Sequence, residues 1–132
     1  MHKSRLAGLI IDCETGDLEA AAEFWSRALG LPVKSSMESG ENYRTLETRG
    51  DEVHIEVQRV KHPSRVHIDI EADDIEAEVR RLEALGARRI EKVRTWVVLE
   101  APTGQRFCVV RPQRSDFETQ ANRWENAQPP RT

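Results

Sequence analysis

The sequence predicts an α+β domain built from two tandem strand–helix–strand–strand–strand repeats. Three observations carry that prediction. Short apolar runs alternate with polar residues and are separated by Gly-, Pro- and Asp-containing turns. Two segments switch to helical spacing. The order of elements then recurs: Asp17 and Gly30 stand 13 positions apart, as do Asp73 and Gly86, both segments close on Ala-Leu-Gly, and the copies are offset by 56 residues.

In the first repeat, residues 6–12 form a short apolar run ending in a Cys-Glu-Thr-Gly turn, the mark of a strand. Leu18, Ala21, Ala22, Trp25 and Leu29 then fall on one helical face, Gly30 supplies the stop, and Pro32 prevents continuation. Strands are expected at 33–37, 43–48 and 53–60, punctuated by Ser39-Gly40 and Arg49-Gly50-Asp51. In the second repeat, residues 65–71 alternate as a strand. Ile75, Val79, Leu82 and Leu85 give a helix over 74–85 closed by Gly86, and strands follow at 88–93, 96–100 and 106–111. The domain is thus read as 1–112, with modules at 6–60 and 65–111, and a tail at 113–132. Two such units make an α+β domain in which helices cover one face of a curved mixed sheet around a cleft.

The tail carries Ser115-x-x-Glu118, a capping-box pattern, and Phe117, Ala121 and Trp124 share a helical stripe. A short amphipathic helix over 116–126 is expected. It is too short to stand alone and must pack on its own chain or on a second subunit.

Composition narrows the function. The chain has 132 residues, 38% hydrophobic and 33% charged, with a mean hydropathy of -0.64 and a formal net charge of -3. That near-balance argues against a nucleic-acid partner, which selects a basic face. No apolar run approaches the roughly 20 residues of a membrane helix, and the basic start has no signal-peptide core. Cys13 and Cys108 form neither a disulfide framework nor a Cys-x-x-Cys zinc motif. A cytoplasmic domain is expected. Arginine pairs at 80–81 and 88–89 are interleaved with Glu76, Glu78, Glu83 and Glu91, which reads as solvated surface.

Strand alternation sorts residues into two faces. Leu9, Ile11, Ile55, Val57, Val97, Leu99, Phe107 and Val109 are expected under the helices. The other face then receives Gly8, Ile10 and Asp12; His54, Glu56 and Gln58; His67, Asp69 and Glu71; Trp96, Val98 and Glu100; and Arg106, Cys108 and Val110. Carboxylates, imidazoles, an arginine and a tryptophan on one face suit a small-molecule site. Asp12, Gln58, Asp69, Trp96 and Arg106 are the candidate substrate-binding residues, with Trp96 placed to stack on a ligand. Glu56 and His67 lie on the same face.

Three segments carry a family resemblance: Phe24-Trp25 followed by Ala28-Leu29-Gly30, Arg65-Val-His67-Ile-Asp69, and Ala101-Pro-Thr-Gly104-Gln-Arg-Phe107-Cys108. Over about residues 6–112 the chain resembles the vicinal oxygen chelate superfamily, the glyoxalase/bleomycin-resistance/dioxygenase fold, and its glyoxalase-like group. The resemblance implies a metal ligand on each of four strands. His67 matches the histidine and Glu56 a carboxylate, whereas Cys108 replaces a glutamate and the first histidine falls at Gly8 or Ile10. The implied metal residues are therefore His67, Glu56 and Cys108, with a divalent zinc, nickel, manganese or iron as cofactor. Asp12 is an alternative donor. His67 reads either as a ligand or as an imidazole tied to a neighbouring carboxylate, and Cys108 either as a soft ligand or as a small buried residue.

The expected function is a glyoxalase-like protein that binds a small organic molecule. If it is an enzyme, the resemblance implies a metal-assisted lyase, isomerase or dioxygenase step, not that of glyoxalase I itself, with Glu56 and His67 as the candidate catalytic residues that move a proton. The alternative is a metal-free, drug-sequestering binding protein of the bleomycin-resistance type, in which Asp12, Glu56, Asp69 and Glu71 favour a cationic ligand. A homodimer is the expected assembly.

Overall fold

In the computed structural model, which describes residues 1–34 and 42–125, the chain is α+β, with elements in the expected order. The strands are β1 (His2–Glu14), β2 (Tyr43–Leu46), β3 (His54–Val60), β4 (Arg65–Ala72), β5 (Arg88–Val93), β6 (Trp96–Glu100), β7 (Arg106–Val110) and β8 (Asn122–Trp124). The helices are α1 (Leu18–Leu29), α2 (Ile75–Ala84) and α3 (Phe117–Gln120). None of them is long and apolar enough to cross a membrane. Contacts divide the chain into two units, Gly8–His67 and Met1–Ala7 with Ile68–Thr132.

In the unit Gly8–His67, β3 runs parallel to β1 and antiparallel to β2. Val33 makes an isolated bridge to Leu46, while the rest of the strand expected over 33–37 falls largely outside the described residues. Helix α1 begins where the Asp17 side chain accepts the Ala20 N–H at 3.1 Å, a cap typically worth about 1 kcal/mol. It ends on Gly30 at φ 70°, the left-handed conformation glycine adopts without penalty. Its apolar face packs Leu18 onto Leu46 and Val57, with Cys13, Trp25 and Ile55 at the margin. Phe24 lies edge-on to Trp25, ring centroids 5.0 Å apart, and is itself exposed.

The second unit repeats the same strand logic: β4 is parallel to β7, β7 antiparallel to β6, and β6 antiparallel to β5. Asp74 caps α2 by accepting the Ala77 N–H, and the helix ends at Ala84 with Leu85 as its cap. Val79 on α2 packs with Ala72, Val97, Leu99 and Val109, all at most 1% exposed.

Three expectations are corrected here. Strand β1 starts at His2 rather than at residue 6, because β8 pairs with it antiparallel, His2 opposite Trp124 and Ser4 opposite Asn122. The tail helix is only four residues long; Ala121 turns to extended backbone (ψ 150°), so the expected stripe continues as a strand. Asp116 rather than Ser115 stands at its start, without a capping side-chain bond. The tail packs on its own chain, Phe117 being 3% exposed with the Arg5 guanidinium 5.9 Å from its ring centre.

Candidate functional site

The register of the first unit brings the predicted polar residues onto one face. Gly8 pairs with His54, Ile10 with Glu56 and Asp12 with Gln58, while Tyr43 and Thr45 of β2 stand opposite Gln58 and Glu56. Parallel and antiparallel partners project to the same side, and α1 packs on the opposite side through Leu46, Ile55 and Val57. The face so formed carries Tyr43, Gln58, Glu56, His54 and Asp12, with His67 at the end of the unit. Ile10 is an apolar exception among them, buried at 4%.

At its centre Asp12 is buried to 2% exposure, and its Oδ2 lies 2.7 Å from His67 Nδ1. An ionised carboxylate can only accept, so in this contact His67 donates from Nδ1. Arg65 Nε approaches the same oxygen at 3.8 Å. Asp12 Oδ1 is buried without a hydrogen-bond partner among the described residues. On β3, His54 Nε2 stands 3.6 Å from Glu56 Oε1, and Gln58 Nε2 donates to the Tyr43 hydroxyl at 3.1 Å. Sequence reasoning singled out Asp12, Glu56, Gln58 and His67 but passed over Arg65 and Tyr43. Arginine just before the alternating strand, and the lone tyrosine of the chain, were the available signals.

Gly8 shows why the first strand carries no imidazole. A Cβ there would lie 2.5 Å from the His54 carbonyl oxygen and 2.7 Å from the His54 Cβ. No side chain fits without moving β1 away from β3. Ile10, the other implied position, offers no donor atom. The four-position ligand set is therefore incomplete by construction on this strand.

In the second unit Asp69 stands opposite Cys108, which in turn pairs with Val98. Asp69 of β4 and Cys108 of β7 thus set a carboxylate and a thiol side by side on neighbouring strands. Trp96 is half-buried at the start of β6. Arg106 Nε lies 3.4 Å from Glu100 Oε2, and Arg88 also binds Glu100. Glu71 is not available to a ligand: fully buried, it accepts Arg5 Nε at 2.6 Å and the backbone N–H groups of Gln113 and Arg114 at 2.6 and 3.0 Å. The carboxylates expected to attract a cation thus already hold cationic or hydrogen-bond partners.

Neither cysteine forms a disulfide. Burial pushes the Cys13 thiol up, a Trp25 contact opposes this and the neighbouring Asp12 charge adds to it. Cys13 is therefore a half-buried residue at the margin of the α1 cluster whose thiolate form is disfavoured.

The glyoxalase-like domain description matches residues 8–110. No curated protein matches the chain. Among solved structures, methylmalonyl-CoA epimerase from Mycobacterium tuberculosis superposes with a TM-score of 0.61 at 16% identity, over 82% of this chain and 87% of that one. A Streptomyces coelicolor methylmalonyl-CoA epimerase in complex with 2-nitronate-propionyl-CoA gives 0.55 at 17% identity, over 80% and 96%. Homoprotocatechuate 2,3-dioxygenase from Brevibacterium fuscum gives 0.57 at 17% identity over 85% of this chain, which spans only 37% of that enzyme. At these identities the likeness is one of fold. With the repeat, the register and the domain match together, the chain belongs to the glyoxalase-like domain family and has the vicinal oxygen chelate fold.

Proposed function

We propose that the polar face of the first unit binds a small organic molecule bearing a carbonyl group, and that His67 moves a proton on it. The observation that supports this reading is the buried Asp12–His67 pair: a carboxylate on one imidazole nitrogen fixes the tautomer and turns the other into an oriented base. Glu56, half-buried beside His54, is the second proton-transfer candidate, and Gln58 with Tyr43 supplies neutral hydrogen bonds. The reaction class is an isomerase or lyase step at a carbon next to a carbonyl. Asp69, Trp96, Arg106 and Cys108 remain proposed contacts from the second module.

The resident metal of the superfamily does not fit the four implied positions, because Gly8 excludes a side chain and Ile10 has no donor. Proton transfer by His67 is accordingly derived without a metal step. Elemental analysis of protein purified without a histidine tag checks this; a stoichiometric metal lost in His67→Ala would restore the metal-assisted reading. Homodimerisation and a cytoplasmic setting belong to the same proposal, and sedimentation analysis tests the former.

A second reading, a sequestering binding protein, is favoured by the pairing of Asp12 with His67 and Arg65 and of Glu56 with His54, which offsets the negative charge of this face. NMR in D₂O separates the two. A panel of carbonyl acids and acyl thioesters, methylmalonyl-CoA included because of the epimerase neighbours, should show a ligand that perturbs the β3 and β1 signals and exchanges its carbon-bound proton. Binding without exchange would favour sequestration, and no perturbation of β1 or β3 by any ligand would overturn both.

A further inference from the structure

Helix α2 carries a carboxylate that its sequence presents as a surface group and the structure buries completely. Glu78 is 0% exposed. Its Oε1 accepts His2 Nε2 at 2.7 Å and Arg81 Nε at 2.8 Å; its Oε2 accepts Ser4 Oγ and Arg81 Nη2, both at 2.7 Å. Four donors from two elements saturate the carboxylate. Their second function is to hold the C-terminal strand. Ser4 Oγ, while donating to Glu78, accepts the Trp124 indole N–H at 2.8 Å, and the Arg81 guanidinium lies 3.8 Å from the Trp124 ring centre. Both polar holds on Trp124 therefore run through Glu78.

The rest of the tail is tied by a few polar bonds, those to Glu71 buried and those to Asp116 and Glu118 nearer the surface. Glu71 takes the Gln113 and Arg114 N–H groups, Arg5 bridges Glu71 to Asp116, and Lys3 binds Glu118. Strand β8 adds three paired residues on β1, and Phe117 is the buried apolar anchor. The apolar core of this unit, Ala72, Val79, Val97, Leu99 and Val109, contains no residue of the tail. Segments with few buried apolar contacts open below the global unfolding free energy.

We propose that residues 113–124 form a strap that acid releases from the second unit while its core stays folded, with the Glu78 carboxylate as the catch. The groups facing that carboxylate are His2 and Ser4 from β1 and Arg81 from its own helix, with Trp124 of β8 behind Ser4 and Arg81. Burial pushes the Glu78 carboxyl up, but the bonds from Arg81, His2 and Ser4 outweigh it and hold the group below the usual carboxylate range. A depressed carboxylate contributes stability above its unfolded value and loses it as pH falls through the folded one. Release therefore belongs to acid pH, below the ordinary glutamate range. Protonation removes the charge that pairs with Arg81 and turns one accepting oxygen into a donor, so the guanidinium and the Ser4 hydroxyl are no longer both held in place and the two contacts to Trp124 loosen together. Opening uncovers the His2–Ser4 edge of β1.

Heteronuclear NMR of the full chain tests this, with the Trp124 indole signal assigned by Trp124→Phe. On acid titration the Trp124 indole and the amides of 121–125 should move to unstructured positions while those of Val97, Leu99 and Val109 remain native. Glu78→Gln should produce the same release at neutral pH. Should that variant not fold, Ser4→Ala removes only the bridging hydroxyl, and it should shift the Trp124 indole with the core signals unchanged. Loss of tail and core signals together, or a Trp124 signal unaffected by Ser4→Ala, would overturn the proposal.

Discussion

Asp12 Oδ2 lies 2.7 Å from His67 Nδ1 and joins the end of β1 to the start of β4 within the first unit. Asp12 is almost without solvent contact, and His67 is largely shielded, its side chain 13% exposed. A buried carboxylate against one imidazole nitrogen orients the ring, which is what a positioned base requires.

The tautomer is the first consequence. Long-range ¹H–¹⁵N correlation should find a His67 proton on Nδ1, the nitrogen that faces Asp12. Asp12→Asn keeps the shape but presents an amide in place of a carboxylate, and the preference should weaken or reverse. An Nε2–H tautomer in the wild type would contradict the assigned hydrogen bond.

Gly8 offers a test of the first strand. A methyl group there would meet the His54 backbone at well under contact distance, and overpacking of this kind costs about 1–3 kcal/mol. Gly8→Ala should lower the urea midpoint accordingly, and Gly8→His should not create a metal site without disrupting β1–β3 pairing. Equal stability of Gly8→Ala and wild type would show that β1 has room for a side chain.

Cys13 should be slow to react. With its thiol pushed up by burial, iodoacetamide at neutral pH should label it at a small fraction of the rate seen after denaturation. Peptide mapping of the alkylated protein reads this directly; labelling at the unfolded rate would place Cys13 outside the α1 cluster.

The elements legible in the sequence are those whose signals are local. Leu18, Ala22 and Gly30 mark α1, Asp17 caps it, and the second repeat copies the pattern, so fold class and face assignment follow from spacing alone. The faces named for β3, β6 and β7 agree with the packing of Val57, Val97, Leu99 and Val109. What spacing could not show are contacts between distant residues. His2 and Glu78 are 76 positions apart, and Ser4 and Trp124 are 120 apart. A basic N-terminus and an acidic helix therefore read as solvent-facing until strand β8 closes over them. Glu71 was misplaced for the same reason: its partners Arg5, Gln113 and Arg114 come from both ends of the chain. In the candidate site, Asp12 and His67 could be placed on one face by alternation, but their pairing depends on which strands meet.

The central claim is that His67 transfers a proton on a ligand bound to the first unit. Deuterium incorporation into a bound carbonyl ligand, followed by NMR in D₂O, tests it most directly with wild type, Asp12→Asn and His67→Ala compared at saturating ligand. The account predicts exchange in the wild type that falls by about 10²- to 10⁴-fold in His67→Ala, the usual contribution of a positioned general base, and by less in Asp12→Asn. Exchange that persists undiminished in His67→Ala, with the ligand still bound, would contradict it.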